Sequence, residues 1–359
     1  MKKKKVLFIA PNLHHGGAEA VLIKLINNIN LNLFEVKLVL FKKQGDHLSK
    51  IGKKVEVVDL QSTNTLLSIP KLVQTIREEE PDYVFSIIGH INLIMAFLKV
   101  MFFKEIKFIG RENVVYSEWL YKEKTPKKII MNILYKILLK KLDVVVVQSK
   151  FMAEEIKKYF KVNEKNIIII KNPIENDKIH QLSLETELSN WNSDKKNLVA
   201  VGRIESVKNF PAMIDILEEL PEAYHLNILG DGKEKENLLS YISSKKMSHR
   251  VTLHGYVTNP YKFIKASELL LLTSHRESSP NVVIEANACG VYVISYDMPG
   301  GIREMITQNI NGSLIPLGEK ERFAKEVLKK TEKVNREKLK VHSKKFSIEN
   351  FMEKIYSII

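Results

Sequence analysis

Two cations that follow an apolar run in the second half of the chain are the first candidates for chemistry. Arg203 and Lys208 come shortly after the run at residues 198–201. If that run is a strand, both cations lie near its carboxyl end, where ligands bind in open α/β sheets. A planar guanidinium and an ammonium point charge together suit a diphosphate whose negative charge grows as it leaves. A solvated pair of surface charges is the alternative interpretation.

Two glutamates surround a predicted helix start further along the chain. Ser279 as N-cap and Pro280 as the first helical residue favour a helix that begins there, with Asn281 in its first turn. Glu277 then precedes the helix and Glu285 lies in its second turn. At a rise of about 1.5 Å per residue the two carboxylates are too far apart to act as one close pair. They suit hydroxyls on two parts of an extended ligand, although each glutamate alone is more commonly a surface charge.

Two glycine pairs follow other apolar runs. Gly16 and Gly17 open the first predicted helix, and Gly230 and Gly232 follow the run at residues 226–229. Glycine lets the backbone approach a ligand, and a helix N-terminus attracts an anion. The first turn is not Gly-x-Gly-x-x-Gly, so a nicotinamide or flavin dinucleotide is not indicated. Turns without a ligand are the alternative interpretation for both pairs.

The elements that must position these residues form an α/β pattern. Short apolar runs alternate with amphipathic segments, and the pattern restarts at residue 198, which predicts two doubly wound Rossmann-like lobes facing across a cleft. A chain of 359 residues also fits two domains of about 150 to 180 residues. We predict an N-terminal domain at 1–175, a linker at 176–196, a C-terminal domain at 197–335 and a closing helix at 336–359.

Composition narrows the classes of partner. The single cysteine, Cys289, excludes an internal disulfide and a cysteine-rich metal site, which suits a reducing cytosol. The net charge of +14 favours polyanionic partners. Because the lysines are scattered instead of gathered in one groove with aromatic residues, nucleic acid is not expected. No apolar run approaches the roughly 20 residues of a membrane span, and the short run after the N-terminal lysines predicts a first strand instead of a signal peptide.

The order of these motifs resembles the retaining GT-B glycosyltransferases of family four, in particular bacterial enzymes that extend lipid-linked surface glycans. The resemblance spans nearly the whole chain. It rests on Gly16-Gly17-Ala18-Glu19, Asn172-Pro173-Ile174, Gly202-Arg203 with Lys208-Asn209, Gly230-x-Gly232, Glu277 with Glu285, and Gly300-Gly301-Ile302-Arg303-Glu304.

The resemblance implies transfer of a hexose or N-acetylhexosamine from a nucleotide donor, by analogy a UDP-sugar, to a lipid-linked or surface glycan. Arg203 and Lys208 would bind the diphosphate, Glu277 the transferred sugar, and Glu285 the ribose. The donor site would be completed by Gly16, Gly17, Gly230, Ser279, Pro280 and Asn281. No cofactor and no metal are expected, because the chain has neither an Asp-x-Asp motif nor a cluster of metal ligands.

The sequence departs from the family in the N-terminal lobe. Many relatives carry a histidine in the cleft after the fourth or fifth strand, where this chain reads Gly110-Arg111-Glu112-Asn113. Glu112 or Asn113 fills that role, or His90 does. A sugar-nucleotide epimerase of similar fold is the alternative function. It would need acid and base groups close together, which the spacing of Glu277 and Glu285 disfavours.

A basic segment at residues 119–141 mixes lysines with aromatic and aliphatic residues at helical spacing, and residues 93–107 repeat the theme. Such a face suits an anionic membrane surface. A core-facing helix with a solvated lysine side is the alternative. We therefore expect a cytoplasmic protein, peripheral on the inner face of the cytoplasmic membrane.

Overall fold

The structure is a computed structural model that describes residues 3–14, 16–62, 64–119, 125–331 and 335–359. The chain divides into two compact units. Unit 1 comprises Met1–Pro173 and Ile348–Ile359, and unit 2 comprises Ile174–Ser347. Within the described ranges, no helix is both long and apolar enough to cross a bilayer.

Unit 1 is built on a parallel sheet. Its strands are β1 (Lys4–Ala10), β2 (Phe34–Leu40), β3 (Glu56–Asp59), β4 (Tyr83–Ser86), β5 (Lys107–Arg111), β6 (Val144–Val147) and β7 (Ile167–Ile169). In the described part of the chain they are ordered β3-β2-β1-β4-β5-β6-β7. The order reverses direction between β1 and β4, so the carboxyl ends of these two strands border the crevice where ligands of such sheets bind.

Helices cover both faces of this sheet. They are α1 (Gly17–Asn28), α2 (Ile69–Glu79), α3 (Gly89–Phe102), α4 (Tyr116–Trp119), α5 (Pro126–Leu138) and α6 (Lys150–Phe160). Strand β1 shows why both faces must be covered. Leu7 and Ile9 belong to one apolar cluster, whereas Val6 and Phe8 belong to the cluster on the other face. A strand that is apolar at every position is stable only between two packed layers.

Unit 2 repeats the design. It comprises α7 (Asn176–Ser183), β8 (Lys196–Val201), α8 (Phe210–Glu218), β9 (Tyr224–Leu229), α9 (Lys235–Ser244), β10 (Val251–Gly255), α10 (Tyr261–Ala266), β11 (Leu269–Leu272), α11 (Asn281–Ala288), β12 (Tyr292–Asp297), α12 (Ile302–Met305), β13 (Gly312–Pro316), α13 (Lys320–Lys330) and α14 (Arg336–Ser343). Its described strands form a parallel sheet in the order β10-β9-β8-β11-β12-β13.

The chain then returns to unit 1 through α15 (Ile348–Tyr356). Phe351, Met352 and Ile355 of α15 join the apolar cluster that also contains Val21 and Leu25 of α1. The last helix is therefore part of the unit 1 core, although it is far from α1 in sequence.

The fold class expected from the sequence, α/β with two doubly wound Rossmann-like lobes, is confirmed. Details of the expected organisation differ. The segment 176–196 begins with α7, a helix of unit 2, instead of a linker without regular structure. Residues 336–359 form two helices instead of one, because a 3-10 turn at Lys344–Phe346 separates them. The first helix belongs to unit 2 and the second to unit 1.

Candidate active site

Two glycine turns meet at the carboxyl end of the unit 2 sheet. The amide of Gly202, after β8, donates to the carbonyl of Leu229 at 3.0 Å, and that of Gly230, after β9, donates to the carbonyl of Gly255 at 2.7 Å. A Cβ atom at Gly230 would overlap the carbonyl oxygen of Gly202, and one at Gly232 would overlap the backbone of Ile204. The two turns pack this closely because neither glycine has a side chain.

Gly230→Ala is therefore expected to destabilise the protein by at least about 2 kcal/mol, since it adds a backbone clash to a φ of +152°. Urea denaturation measures the change. Gly17→Ala is the matched control, because a Cβ at Gly17 meets nothing within 4 Å. Its free energy of unfolding should change by no more than about 0.5 kcal/mol. Equal stability of the two variants would contradict the packing described for Gly230.

The two predicted cations lie after β8 with different partners. Arg203 is 67% exposed and its Nη1 lies 3.0 Å from Glu205 Oε1. Lys208 is only 22% exposed, and its Nζ donates to Glu277 Oε1 at 2.5 Å. Arg203 thus reaches freely into solvent, whereas Lys208 is held against a carboxylate from a different turn of the sheet.

Glu277 is fixed by both its side chain and its backbone. Ser274 Oγ also donates to its Oε1, at 2.9 Å. The Glu277 amide donates to Pro299 at 3.1 Å, and its carbonyl accepts from Gly301 at 3.0 Å, which forms an isolated bridge with Gly300. The Gly300-Gly301 motif therefore holds the backbone of Glu277. Nothing in the sequence spacing indicated this contact, because the two segments are 23 residues apart and follow different strands.

Hydrogen bonds also join the turn after β11 to the turn after β8. The Thr273 hydroxyl donates to the Asn209 carbonyl at 2.9 Å, and the His275 amide donates to the Val207 carbonyl at 2.8 Å. Asn209 adopts a left-handed conformation with φ +51°, which asparagine tolerates better than most residues. Thr273 and Ser274 were not predicted as site residues. Their position after the apolar run at 269–272 was the available signal.

Helix α11 begins one residue later than predicted. Pro280 is the N-cap, in an extended conformation, and Asn281 is the first helical residue. The prediction that Ser279 caps the helix is wrong, because α11 has no side-chain cap and the Ser279 hydroxyl contacts Met305 Sδ at 3.6 Å. Since Pro280 has no N–H, the backbone donors at this helix start belong to Asn281 and its successors.

Glu285 lies in the second turn of α11, half-buried, near Tyr261 of α10. Its charge is the main cause that raises the pKa of the Tyr261 hydroxyl. Burial, followed by the charge of Glu285, raises the pKa of the Cys289 thiol to about 12. Cys289 is therefore a buried and unreactive thiol at neutral pH.

In unit 1, Gly16 and Gly17 lie where α1 begins. Gly16 is the N-cap in an extended conformation, and its carbonyl accepts the Ala20 amide at 3.0 Å. The side chain of Glu19 folds back against Gly16, so a Cβ atom there would overlap its carboxylate. The N–H groups of this first turn lie at the carboxyl edge of the unit 1 sheet, next to the end of β1.

The three N-terminal candidates differ in accessibility. Glu112 follows β5 and is fully buried. Asn113 is partly exposed, and its amide donates to the Ile87 carbonyl. His90, the second residue of α3, is exposed as a whole, although desolvation, followed by the charge of Lys127, lowers its pKa. His90 and Asn113 are accessible at this edge of the sheet, whereas Glu112 faces the core.

Among the described residues, no three His, Cys, Asp or Glu side chains are grouped so that they could hold a metal ion. The charged groups at the unit 2 sheet edge include the cations Arg203 and Lys208 and the carboxylates Glu277 and Glu285.

Two family models cover most of the chain. The one described as Glycosyl transferases group 1 matches residues 184–345, and the one described as Glycosyltransferase Family 4 matches residues 15–178. The first match lies almost entirely in unit 2 and the second almost entirely in unit 1.

The chain is also similar to glycosyltransferases over long alignments. An uncharacterised glycosyltransferase of Methanocaldococcus jannaschii is 32% identical over 254 residues, which are 67% of this chain and 62% of that protein. The chain therefore spans less than two thirds of that relative's length. The N-acetylgalactosamine-N,N'-diacetylbacillosaminyl-diphospho-undecaprenol 4-alpha-N-acetylgalactosaminyltransferase of Campylobacter jejuni is 28% identical over 315 residues, which are 85% of this chain and 84% of that protein.

Solved structures agree on the fold. Anabaena HepE in complex with UDP-glucose has a TM-score of 0.79 at 19% identity and 99% coverage of both chains. A glycosyltransferase from Rickettsia africae has a TM-score of 0.82 at 17% identity, with 100% of this chain and 98% of that one covered. With both halves matched by glycosyltransferase models and the fold shared along the whole chain, the protein belongs to the GT-B glycosyltransferase family.

Proposed function

We propose that this protein is a retaining glycosyltransferase that moves a hexose or N-acetylhexosamine from a UDP-sugar to a lipid-linked or surface-polysaccharide glycan. The observation that carries the proposal is the contact between Lys208 and Glu277 at the carboxyl edge of the unit 2 sheet. It joins a cation suited to a phosphate with a carboxylate suited to sugar hydroxyls.

The two cations would stabilise the leaving nucleoside diphosphate. An ammonium group has three donors, and Lys208 uses one of them on Glu277, which leaves two for phosphate oxygens. Arg203 is exposed, and its ion-pair partner among the described residues is its near neighbour Glu205, so its guanidinium can turn towards a diphosphate at little cost. Fixed positive charge at the place where negative charge develops lowers the barrier. In this proposal the two cations replace a divalent metal ion.

The carboxylates would bind different parts of the donor. Glu277 is held by Ser274 and by the backbone of residues 299–301, so its free oxygen can accept from a sugar hydroxyl without reorganising. Glu285 lies one turn and a half into α11 and would accept from the ribose hydroxyls. The turns at Gly230 and at Ser279, Pro280 and Asn281 would border the nucleotide, with backbone N–H groups of α11 as donors.

Unit 1 would supply the acceptor side. At Gly16 and Gly17 the chain enters α1, whose start has no side-chain cap among the described residues, and the backbone N–H groups there suit a phosphate or a sugar oxygen. Of the three side chains considered, His90 and Asn113 are accessible and are the proposed contacts.

The relatives support the substrate classes. The Campylobacter protein is named for an alpha linkage formed on a diphospho-undecaprenol-linked sugar, and HepE was solved with UDP-glucose. The name of the first supports a lipid-linked acceptor for this chain, and the complex of the second supports a UDP-sugar donor. The alternative of a sugar-nucleotide epimerase has no such support, since both family models are those of glycosyltransferases.

A donor panel tests the proposal. The protein is incubated with UDP- and GDP-sugars, and slow hydrolysis identifies the donor. With that donor and a lipid-linked glycan acceptor, NMR of the new glycosidic bond should show the anomeric configuration of the donor. Release from no donor would contradict the enzyme assignment, and an inverted product would contradict the retaining mechanism.

The exposed face of helix α5 is the basis for proposing that the protein binds an anionic membrane surface. Ile129, Ile130, Ile133, Leu134 and Ile137 share one face and are 38–57% exposed. At about 100° per residue, Lys127 and Lys136 lie on either side of this face. Residues 125–142 contain no Asp or Glu. An exposed aliphatic stripe bordered by lysines suits the interface of an anionic bilayer.

The neighbouring helix α3 also exposes large apolar side chains. It packs beside α5 and exposes Phe97, Val100, Met101 and Phe102. The predicted membrane segment at 119–141 began at Trp119, but residues 120–124 and the Trp119 side chain lie outside the described residues. The part of the segment that the structure describes is thus α5 and the turn that follows it, and we propose that this surface places the enzyme at the inner face of the cytoplasmic membrane.

Replacing Ile130 and Ile133 together by glutamate should weaken binding to phosphatidylglycerol vesicles by at least about tenfold, because two aliphatic contacts are lost and two like charges added. Vesicle flotation measures the binding. It is done at about 0.1 M salt, where the Debye length is about 10 Å. The control is Leu239→Glu with Leu328→Glu, two comparably exposed leucines on unit 2 helices. Equal flotation of both double variants would contradict the docking surface.

A further inference from the structure

The buried carboxylate Glu112 lies beneath the turn that carries His90. Its side chain is fully buried, and Oε1 accepts from Asn92 Nδ2 at 2.7 Å. Oε2 accepts from the Tyr116 hydroxyl. A Cβ atom at Gly89 would lie 2.9 Å from Glu112 Oε2 and would overlap the Tyr135 hydroxyl. The backbone that precedes His90 therefore rests directly on this carboxylate and on Tyr135.

Hydrogen bonds of Asn92 and of the Glu112 backbone connect this carboxylate to three strand ends. Its Nδ2 donates to Glu112 and to the carbonyl of Arg111 at 2.9 Å, and its Oδ1 accepts from Ser86 Oγ at 2.5 Å. On the other side of β5, Gln148 Nε2 donates to the Glu112 carbonyl at 2.7 Å. Asn92 and Glu112, through its carboxylate and its backbone carbonyl, thus join the end of β4, the first turn of α3, the end of β5 and the end of β6.

This arrangement is costly for stability. Among the hydrogen bonds and ion pairs of the described residues, Glu112 has no Lys or Arg partner. Arg111 donates instead to Asn113 and Asn172, as expected for adjacent strand residues that point to opposite faces. Burial raises the pKa of Glu112 from 4.5 to about 7. A buried carboxylate without a cation destabilises the fold, and such groups are most often retained where function requires them.

The titratable groups around Glu112 come from three helices. Tyr116 of α4 and Tyr135 of α5 are buried, and burial raises the pKa of both hydroxyls, so both stay protonated at neutral pH. Glu155 of α6 faces the same region and accepts the amides of Tyr116 and Ser117, each at 2.8 Å. Tyr135 is also the one buried residue of α5, so the helix with the exposed aliphatic face is anchored at this cluster.

We propose that Glu112 is a positioning residue of the acceptor side: its ionised carboxylate, held by Asn92 and Tyr116, fixes the turn before His90 and the loop at Asn113 relative to α5. This inference rests on the proposed transferase function, because it assigns those accessible side chains to the acceptor. Ionised Glu112 offers both oxygens as acceptors, which matches the donors that face it. A proton on either oxygen removes one of those acceptor positions and loosens the turn.

Glu112→Gln and Tyr116→Phe, which removes the hydroxyl that donates to Glu112 Oε2, test the proposal in the whole 359-residue chain. Both should raise the KM for acceptor by about tenfold or more, the scale of one lost hydrogen bond to a charged group. UDP affinity, measured by titration calorimetry, should not change, because the side chains proposed to bind the donor lie in unit 2. In wild type the acceptor KM should rise as pH falls through about 7, and in Glu112→Gln it should be independent of pH in that range. Tyr224→Phe is the control and should leave the KM for acceptor unchanged. Tyr224 is a buried tyrosine at the amino end of β9, and its hydroxyl lies 3.0 Å from Thr331 Oγ1.

Two readouts do not depend on activity. Between pH 4.5 and about 7 the native protein holds a proton on Glu112 that the unfolded chain has lost, so stability should fall as pH rises through this window. Glu112→Gln should remove that slope, and it should also speed amide exchange at residues 87–92 at pH 8. Failure of wild type to use any donor would contradict the transferase function alone. An unchanged stability slope, or unchanged exchange and acceptor KM, would overturn the role of Glu112.

Discussion

Lys208→Ala is expected to lower turnover by about 10² to 10³, the scale for the loss of one preorganised electrostatic group. The variant loses the ammonium that would contact the leaving diphosphate. It also leaves Glu277, which is 14% exposed, with the Ser274 hydroxyl as its remaining described hydrogen-bond donor to the side chain. Glu277 would then carry an uncompensated negative charge close to the phosphates. Both changes act against the transition state more than against the bound substrate.

Single-turnover kinetics with the donor identified in the panel measures this effect, and thermal unfolding shows whether the fold is intact. Lys320→Ala is the matched control. That lysine belongs to the same unit and pairs with Glu219 at 3.3 Å, but it is 43% exposed and lies on α13. Its removal should change turnover by less than about twofold, as for a surface ion pair. Turnover of Lys208→Ala within tenfold of wild type would contradict the proposed role.

Glu277→Gln separates the two consequences of losing Lys208. In a double-mutant cycle, Lys208→Ala with Glu277→Gln should cost less than the sum of the single changes, because the uncompensated carboxylate is gone. Additive effects would show that the 2.5 Å contact between the two side chains has no part in the reaction.

Arg203→Ala is the second change with a large expected effect, again a loss of about 10² to 10³ in turnover. Its effect on stability should be small, because Arg203 is 67% exposed and its partner Glu205 is its near neighbour in sequence. An arginine that contributes little to the fold but much to turnover is the signature of a group that acts on the ligand.

Arg322→Ala is a close control for this variant. Arg322 is 63% exposed and pairs with Glu319 at 3.1 Å, so the two arginines differ mainly in their place on unit 2. Rapid-quench measurements should find wild-type turnover for Arg322→Ala. Arg203→Lys should restore only part of the activity, since an ammonium cannot bind two phosphate oxygens as a planar fork does. Near-normal turnover of Arg203→Ala would remove Arg203 from the donor site.

Much of the fold could be predicted because apolar runs and turn residues report local preferences. The runs at 6–10, 226–229 and 269–272 are buried strands, and each is followed by a turn at the same edge of its sheet. Strands β7 and β13 were not predicted from the apolar runs. The first has three half-buried residues, and the second starts with a glycine and ends with a proline. Short or interrupted strands carry too little periodicity to be recognised.

The start of α11 shows the limit of local rules. Ser279 and Pro280 are the residue types expected at an N-cap and a first helical position, yet Pro280 itself is the N-cap. The segment before it is held by the backbone bonds of Glu277 to residues 299 and 301. These contacts keep Pro280 extended, so tertiary pairing decides where the helix starts.

Residue types and their order along the chain were enough to predict two parallel-sheet lobes and to single out Arg203, Lys208, Glu277 and Glu285, since strand periodicity and strand-end turns are properties of neighbouring residues. Only the tertiary structure decided that Lys208 bonds to Glu277 across 69 positions, that Gly300 and Gly301 hold Glu277, and that Glu112 faces the core while His90 and Asn113 stay accessible. Which side chains meet depends on how non-adjacent strands are ordered and which face each residue takes, and a local pattern does not contain that information.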